Sequence, residues 1–345
     1  MVVNVKDVPS LVFGVPNFEK TKIFERVPAQ VREKLPSLSF LGRRTPGARV
    51  CFRTASPWFK IIIELETLSI DIGMSIYSAQ SAHVYLGNRQ SARFLGLVNP
   101  PNYETKKFEK TFKKGEGVDE ITVFLVRNEI IKSVEIEVED GYTVDLPTPY
   151  KYEKPVLFYG SSITECAHAA NPCASYINLS SRHLDFDYIN FGFSGSCLAE
   201  DEMAEYINTL DFSVFVYDYD HNSPNPEYLE RTHEKFYKKI RAAHPTVPIV
   251  MISRPVAVFD DDARKQRDII KATYENALKN GDKNVYFVDG ELFFKDFSDR
   301  NVCFTDTIHP TDLGFYIIAR QIEPVIKRAL TQAQNHSQKL RRKND

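Results

Sequence analysis

Gly160-Ser161-Ser162-Ile163-Thr164 closes one apolar run, and Thr305-Asp306-Thr307-Ile308-His309-Pro310 precedes the last segment of helical length. A serine at a strand-to-loop junction can present its hydroxyl where backbone N–H groups face an incoming oxygen, and either Ser161 or Ser162 meets that description. Such a hydroxyl is a poor nucleophile until a base takes its proton and a third group orients the base. Asp306 and His309, three positions apart, can supply both, the carboxylate receiving one ring N–H while the other ring nitrogen faces the hydroxyl. An ordinary imidazole is largely neutral at pH 7, the form a base requires. The bland reading of this segment is a helix cap from Asp306 or Thr311 with His309 packed beside it. Cys166, His168 and Cys173 are metal-ligand types close in sequence, but no second pair follows at finger-like spacing, and no metal is expected there.

Two kinds of element must position these groups. From Ala48 to about Val144, β-rich runs alternate with turn clusters: Arg49–Arg53, Trp58–Leu65, His83–Leu86, Ile121–Val126 and Val134–Val138. In Val134-Glu135-Ile136-Glu137-Val138 every second residue is apolar, the period of a strand with one buried face. Residues 1–148 therefore read as an all-β domain, a sandwich or jelly roll, with Trp58 in its core. Leu146 to Pro155 contains three prolines and reads as a linker.

After Pro155 continuous apolar runs (Val156–Tyr159, Tyr188–Phe191, Val214–Tyr217, Ile249–Ile252, Val285–Val288) alternate with helical segments at Cys173–His183, Glu200–Thr209, Pro226–Ala243, Asp261–Asn280 and Thr311–Leu330. That alternation predicts an α/β domain over 149–335 with a parallel sheet covered on both faces. Ligands of such sheets bind beyond the carboxyl ends of the strands, where both chemical segments fall. Residues 336–345 read as a solvated, frayed polar tail.

Composition removes several classes. The 345 residues carry 44 Lys plus Arg against 46 Asp plus Glu, so no surplus positive charge draws the chain to nucleic acid or anionic lipid. The N-terminus lacks a basic stretch followed by an apolar core, and no run is long enough to span a bilayer, so a cytoplasmic protein is expected. Five scattered cysteines fit free thiols better than a disulfide framework.

Taken together, the segments resemble the SGNH (GDSL-like) hydrolase family. Gly160-Ser161-Ser162-Ile163-Thr164 is similar to that family's Gly-Asp-Ser-Ile-Thr block, which implies that Ser162 is the nucleophile, and Asp306 with His309 matches its final Asp-x-x-His block. The resemblance implies further that Gly195, in Asn190-Phe191-Gly192-Phe193-Ser194-Gly195, gives a backbone N–H to the oxyanion. Asn222 would add its side-chain amide and Ser162 its own N–H. Ser161 departs from the customary Asp. Tyr217-Asp218-Tyr219-Asp220-His221-Asn222 lacks the usual Gly-x-Asn-Asp form, which leaves His221 and Asp218 as competitors at that edge; as plain loop carboxylates, Asp218 and Asp220 would bond nearby backbone. The implied fold is a flavodoxin-like three-layer domain.

An all-β domain ahead of an SGNH domain is similar to carbohydrate esterases with an N-terminal jelly roll, and Gly73-Met74-Ser75-Ile76-Tyr77 resembles a degenerate Gly-x-Asp-Leu-Tyr motif of one bacterial group. The expectation is a Ser-His-Asp esterase without metal or cofactor that deacetylates oligosaccharides such as manno- or xylo-oligosaccharide fragments. A lipid, thioester or general short-chain esterase is the alternative within the class, and a non-catalytic sugar-binding protein the alternative outside it.

Overall fold

The computed structural model describes residues 1–344; Asp345 lies outside the described residues. The chain opens with β1 (Val2–Asn4), β2 (Val12–Phe13) and three one-turn helices, α1 (Phe18–Thr21), α2 (Ala29–Arg32) and α3 (Leu38–Leu41). It continues through β3 (Arg49–Thr54), β4 (Trp58–Leu65), a one-turn α4 (Ile76–Ala79), β5 (Ala82–Leu86), β6 (Arg93–Val98), β7 (Lys107–Lys113), β8 (Asp119–Phe124) and β9 (Ile131–Val138). These strands form two antiparallel sheets, ordered β1-β9-β4-β7 and β2-β3-β8-β5-β6. The sheets share one apolar core, with Phe52 of β3 edge-on to Phe59 of β4 at 5.6 Å and Phe59 stacked on Phe112 of β7 at 5.4 Å. In β9 the alternation expected from sequence is present, Val134, Ile136 and Val138 being buried and the glutamates between them partly exposed. Trp58 is only half-buried, facing Lys113 across the β4–β7 pair.

The second half runs β10 (Tyr152–Gly160), α5 (Ser162–Glu165), α6 (Tyr176–Leu184), β11 (Phe186–Gly192), α7 (Asp201–Ile207), β12 (Val214–Asp218), α8 (Pro226–Ala243), β13 (Ile249–Ile252), α9 (Asp261–Lys279), β14 (Val285–Val288) and α10 (Asp312–Asn344). All five strands are parallel in the order β11-β10-β12-β13-β14. The continuous apolar runs are explained by two covered faces. Val156 and Phe158 of β10, with Val214 and Val216 of β12, pack under α6 and α10, whereas Leu157, Tyr159, Phe215 and Tyr217 pack under α7, α8 and α9. The strand order reverses beside β10, so the loops after β10 and β12 diverge and leave a crevice at the sheet's carboxyl edge.

Besides Trp58, which was expected in the core, three features differ from the sequence expectation. The segment carrying α1–α3 belongs in part to the second core, since Val27, Leu35 and Leu38 pack with α7 residues such as Met203. The proline-rich segment is held: Arg89 donates to the Thr148 and Pro149 carbonyls, each at 2.8 Å. The polar tail is corrected as well, because α10 runs to Asn344. Residues 325–344 contain neither Gly nor Pro to stop the helix. Among the described residues no helix is long and apolar enough to cross a membrane.

Candidate active site

β10 ends at Gly160, and the chain turns at once into α5. Ser161 starts that turn, its extended backbone and its hydroxyl capping the Ile163 N–H at 3.2 Å. The Asp-to-Ser departure thus keeps a side-chain acceptor at the cap. Ser162 follows as the first residue of α5, partly exposed over the carboxyl edge of the sheet.

The distant Asp306–His309 loop reaches the same place. Its ends are pinned by a bridge between Phe304 and Pro310 and by the Thr305 N–H to the His309 carbonyl at 2.8 Å. Asp306 Oδ1 accepts from the backbone N–H groups of Ile308 and His309, both at 2.7 Å, and Oδ2 lies 2.8 Å from His309 Nδ1. Partial burial pushes this carboxyl up, but the His309 ring and the two backbone donors outweigh it and bring its pKa down to about 2. Being ionised, it can only accept, so Nδ1 carries the proton and Nε2 presents a lone pair. His309 Nε2 is 2.9 Å from Ser162 Oγ. Ser162, His309 and Asp306 form one continuous chain of hydrogen bonds.

Gly195 sits in the turn between β11 and α7, in a left-handed conformation (φ 67°), exposed, and among the described residues its N–H has no partner. Asn222 ends a short 3-10 turn after β12 and donates one amide hydrogen to the Phe193 carbonyl at 3.0 Å, so it ties down the strand of the turn leading to Gly195. The other amide hydrogen remains available.

The competitors at this edge are otherwise engaged. Burial pushes the Asp218 carboxyl up to about 7, against hydrogen bonds from Thr164 Oγ1 and from Tyr176 OH at 2.9 Å. Its partners are therefore side chains rather than nearby backbone. Asp220, buried, accepts from the Arg254 N–H at 2.9 Å, and His221 Nε2 faces the Pro255 carbonyl at 3.3 Å.

Sequence reasoning missed a network that joins these loops. Glu165, the last residue of α5, accepts from the Ser194 N–H at 2.8 Å and from the Ser194 hydroxyl. Its other oxygen lies 3.6 Å from the fully buried Arg26 guanidinium, which also donates to the Asn190 carbonyl at 2.8 Å and the Gly192 carbonyl at 2.6 Å. Three segments far apart in sequence thereby hold the Ser162 turn and the Gly195 turn together, and no local motif marks them.

His168 also borders the site. Its ring centre is 4.6 Å from that of His309, and its ligand nitrogen lies within 4.8 Å of ligand atoms of both Asp306 and His309. Burial first, and the neighbouring His309 next, lower its pKa. Cys166 and Cys173, by contrast, are free and buried. The β sandwich reaches this edge through its loop after β4: a Cβ on Gly73 would stand 3.0 Å from His168 Cε1, and Met74 Sδ is 3.4 Å from the His168 N–H.

A parallel sheet of this order, with a Ser-His-Asp chain at its carboxyl edge and a free glycine N–H beside it, defines a serine-hydrolase type of α/β domain. Residues 153–327 match the model of the GDSL-like lipase/acylhydrolase family, and the chain belongs to that family. A solved structure from Bacteroides ovatus described as a GDSL-like lipase is 25% identical with a TM-score of 0.84, over 96% of this chain and 98% of that one. A salicylyl-acyltransferase from a tetracycline biosynthetic pathway shares the fold at 18% identity and a TM-score of 0.77, over 94% and 97%. A family two carbohydrate esterase from Clostridium thermocellum, solved with cellohexaose, does so at 15% identity and a TM-score of 0.63, over 83% and 94%. No curated protein matches the sequence.

Proposed function

We propose that this protein is a serine esterase that removes O-acetyl groups from acetylated oligosaccharides. The observation that carries the esterase reading is the hydrogen-bond chain from Ser162 Oγ through His309 to Asp306, with separations of 2.9 and 2.8 Å. As Ser162 Oγ bonds to the ester carbonyl carbon, its proton passes to His309 Nε2. The carbonyl oxygen becomes an oxyanion that the Ser162 and Gly195 N–H groups and the Asn222 amide can meet. His309 then returns the proton to the departing sugar oxygen as the C–O bond breaks. Water, deprotonated by the same nitrogen, releases acetate and restores Ser162. The sugar preference is supported by the two-part fold shared with the carbohydrate esterase that was solved with cellohexaose.

A second reading, a longer or aromatic acyl group, rests on exposed apolar side chains. Ile72 stands beside Gly73 at the sandwich edge of the site, and Ile308 lies within the Asp306–His309 loop. Val258 is on the loop whose Ala257 N–H approaches the Thr307 carbonyl. Initial rates on matched aryl acetate and aryl octanoate, followed by mass spectrometry of acetylated manno- and xylo-oligosaccharides, separate the two. A strong preference for acetate with oligosaccharides losing acetyl-sized mass is expected; preference for octanoate moves the assignment to the second reading. Ser162→Ala and His309→Ala should each abolish turnover while leaving the circular dichroism spectrum unchanged, and a folded Ser162→Ala variant of full activity would remove the mechanism.

A further inference from the structure

His168 is not accounted for by ester hydrolysis. It lies six residues beyond the nucleophile, on a loop where its own backbone is left-handed (φ 64°), a conformation that costs a non-glycine residue energy. Among the described residues neither ring nitrogen has a hydrogen-bond partner, and Nδ1 is buried. An imidazole held in a strained turn, unpaired, against a second imidazole and a carboxylate is a set of ligands lacking only an ion.

We propose that His168, Asp306 and His309 form a binding site for one divalent transition-metal ion, with zinc(II) as its representative, and that the ion switches the esterase off. The inhibitory part rests on the Ser162–His309 reading; the site itself does not. One ligand atom from each residue lies within 4.8 Å of the others. Ligands around tetrahedral zinc, at about 2.0–2.2 Å from the ion, stand roughly 3.5 Å apart. The remaining gap closes by rotation of the His168 ring, whose nitrogens have no partner among the described residues, while Asp306 keeps Oδ1 on the Ile308 and His309 N–H groups and offers Oδ2 to the ion. Two imidazoles and one carboxylate select zinc, cobalt or nickel over magnesium, which prefers oxygen. The fourth position is left for water. Nearby charges are mixed, Arg127 being opposed by Asp71 and Asp306, so no net positive field repels a cation.

Inhibition follows from which atoms the ion would take. If it takes His309 Nδ1, the orienting bond to Asp306 is lost; if it takes Nε2, no lone pair remains for the Ser162 proton. Either way the base is withdrawn without any covalent change, and a chelator restores it.

The test uses the full chain and two readouts. Cobalt(II) is titrated in, its visible d–d absorption reporting the coordination shell, and zinc(II) is titrated against aryl-ester hydrolysis. The expected result is one cobalt per chain with an absorption pattern of low coordination number. Zinc should inhibit in the micromolar range, with full reversal by chelator and no effect of millimolar magnesium. His168→Asn, in which asparagine tolerates the left-handed backbone, should keep turnover yet raise the half-inhibiting zinc concentration by at least about tenfold, the usual cost of losing even an outer partner of a metal ligand. Ser162→Ala, which removes no ligand, should bind cobalt with the wild-type spectrum. Equal zinc sensitivity in wild type and His168→Asn, or no cobalt signal at millimolar concentration, overturns the site. If the chain hydrolyses no ester at all but the cobalt spectrum depends on His168, the metal site stands and the esterase reading fails alone.

Discussion

Asp306 does two jobs with its two oxygens, one closing the turn through the Ile308 and His309 N–H groups and the other orienting the imidazole. Asp306→Asn leaves an oxygen for the turn but can offer the ring an N–H where it needs an acceptor. We expect kcat to fall by about a hundredfold or more with KM nearly unchanged, since the loss falls on the transition state. Because this carboxyl titrates near pH 2, the wild-type pH–rate profile above about pH 4 should carry no limb from it. Asp218 behaves oppositely. Its pKa of about 7 in the folded protein exceeds the roughly 3.9 of an unfolded aspartate, so between these values the folded state holds a proton that the unfolded state has released. That contribution to stability is complete below about pH 4 and is lost as pH rises through about 7. Asp218→Asn removes the titration; thermal melts from pH 5 to 8 should show a flatter decline than wild type, and parallel declines would show that Asp218 does not titrate in this window. Asp306 and His309 were legible as a pair because they are neighbours in sequence, whereas Ser162 was separated from Ser161 only by the family resemblance; the structure places all three in one hydrogen-bond chain. Arg26, Glu165 and Ser194 were not legible, because only the folded chain brings them within bonding distance.

At the scale of elements, the position of Ser162 depends on how closely α5 approaches the end of β11. A Cβ on Gly192 would overlap the backbone of Thr164 and Glu165, atoms that cannot swing aside as a side-chain end would. Gly192→Ala should therefore push α5 away from the sheet. The overpacking is expected to cost about 1–3 kcal/mol, and kcat should fall more than stability alone explains because Ser162 moves relative to His309. Measuring melting temperature and kcat on the same preparation checks this, and a variant with lowered stability but wild-type kcat would show that α5 does not shift. Period and length made most elements readable. Pro226–Ala243 matches α8 to the residue, since Pro at the first position and the Asn225 cap mark its start. Four sandwich strands were silent: β1 and β2, of three and two residues, are too short to show a period, and β6 and β7 were hidden for other physical reasons. In β7 the buried residues Phe108 and Phe112 are four apart with charged or polar neighbours, a spacing that suits a helix as well as a strand. Strand β6 is a largely exposed edge strand interrupted by Gly96 and a register shift, so it shows no alternation.

At the scale of the molecule, the two halves are joined by charge as well as by apolar packing, and the sequence had no means of showing it because each partner looks like an ordinary surface residue. Arg49 of β3, almost wholly buried, pairs with Asp187 of β11 and lies 3.8 Å over the Tyr188 ring. Arg89 bonds Asp185 at 2.9 Å and also pairs with Glu120 of β8. The α1–α3 segment adds Val27, Leu35 and Leu38 to the hydrolase core, and Arg26 beneath the Gly195 turn. A sandwich merely tethered by a linker would melt on its own. With side chains of each half buried in the other, calorimetry of the full chain should give a single cooperative transition. Arg49→Met leaves Asp187 without its partner at a site that is mostly, though not fully, out of solvent. The expected loss is about 3 kcal/mol, the lower end for breaking a buried pair, or a drop of roughly 5 °C in Tm. The loss should move the whole transition while leaving turnover unaltered, because Arg49 meets the start of β11, at the opposite end of the strand from the carboxyl edge where Ser162 and His309 lie. Two resolved transitions in wild type, with Arg49→Met shifting neither, would mean that the sandwich and the hydrolase fold are independent bodies and that the His168 edge is free to open.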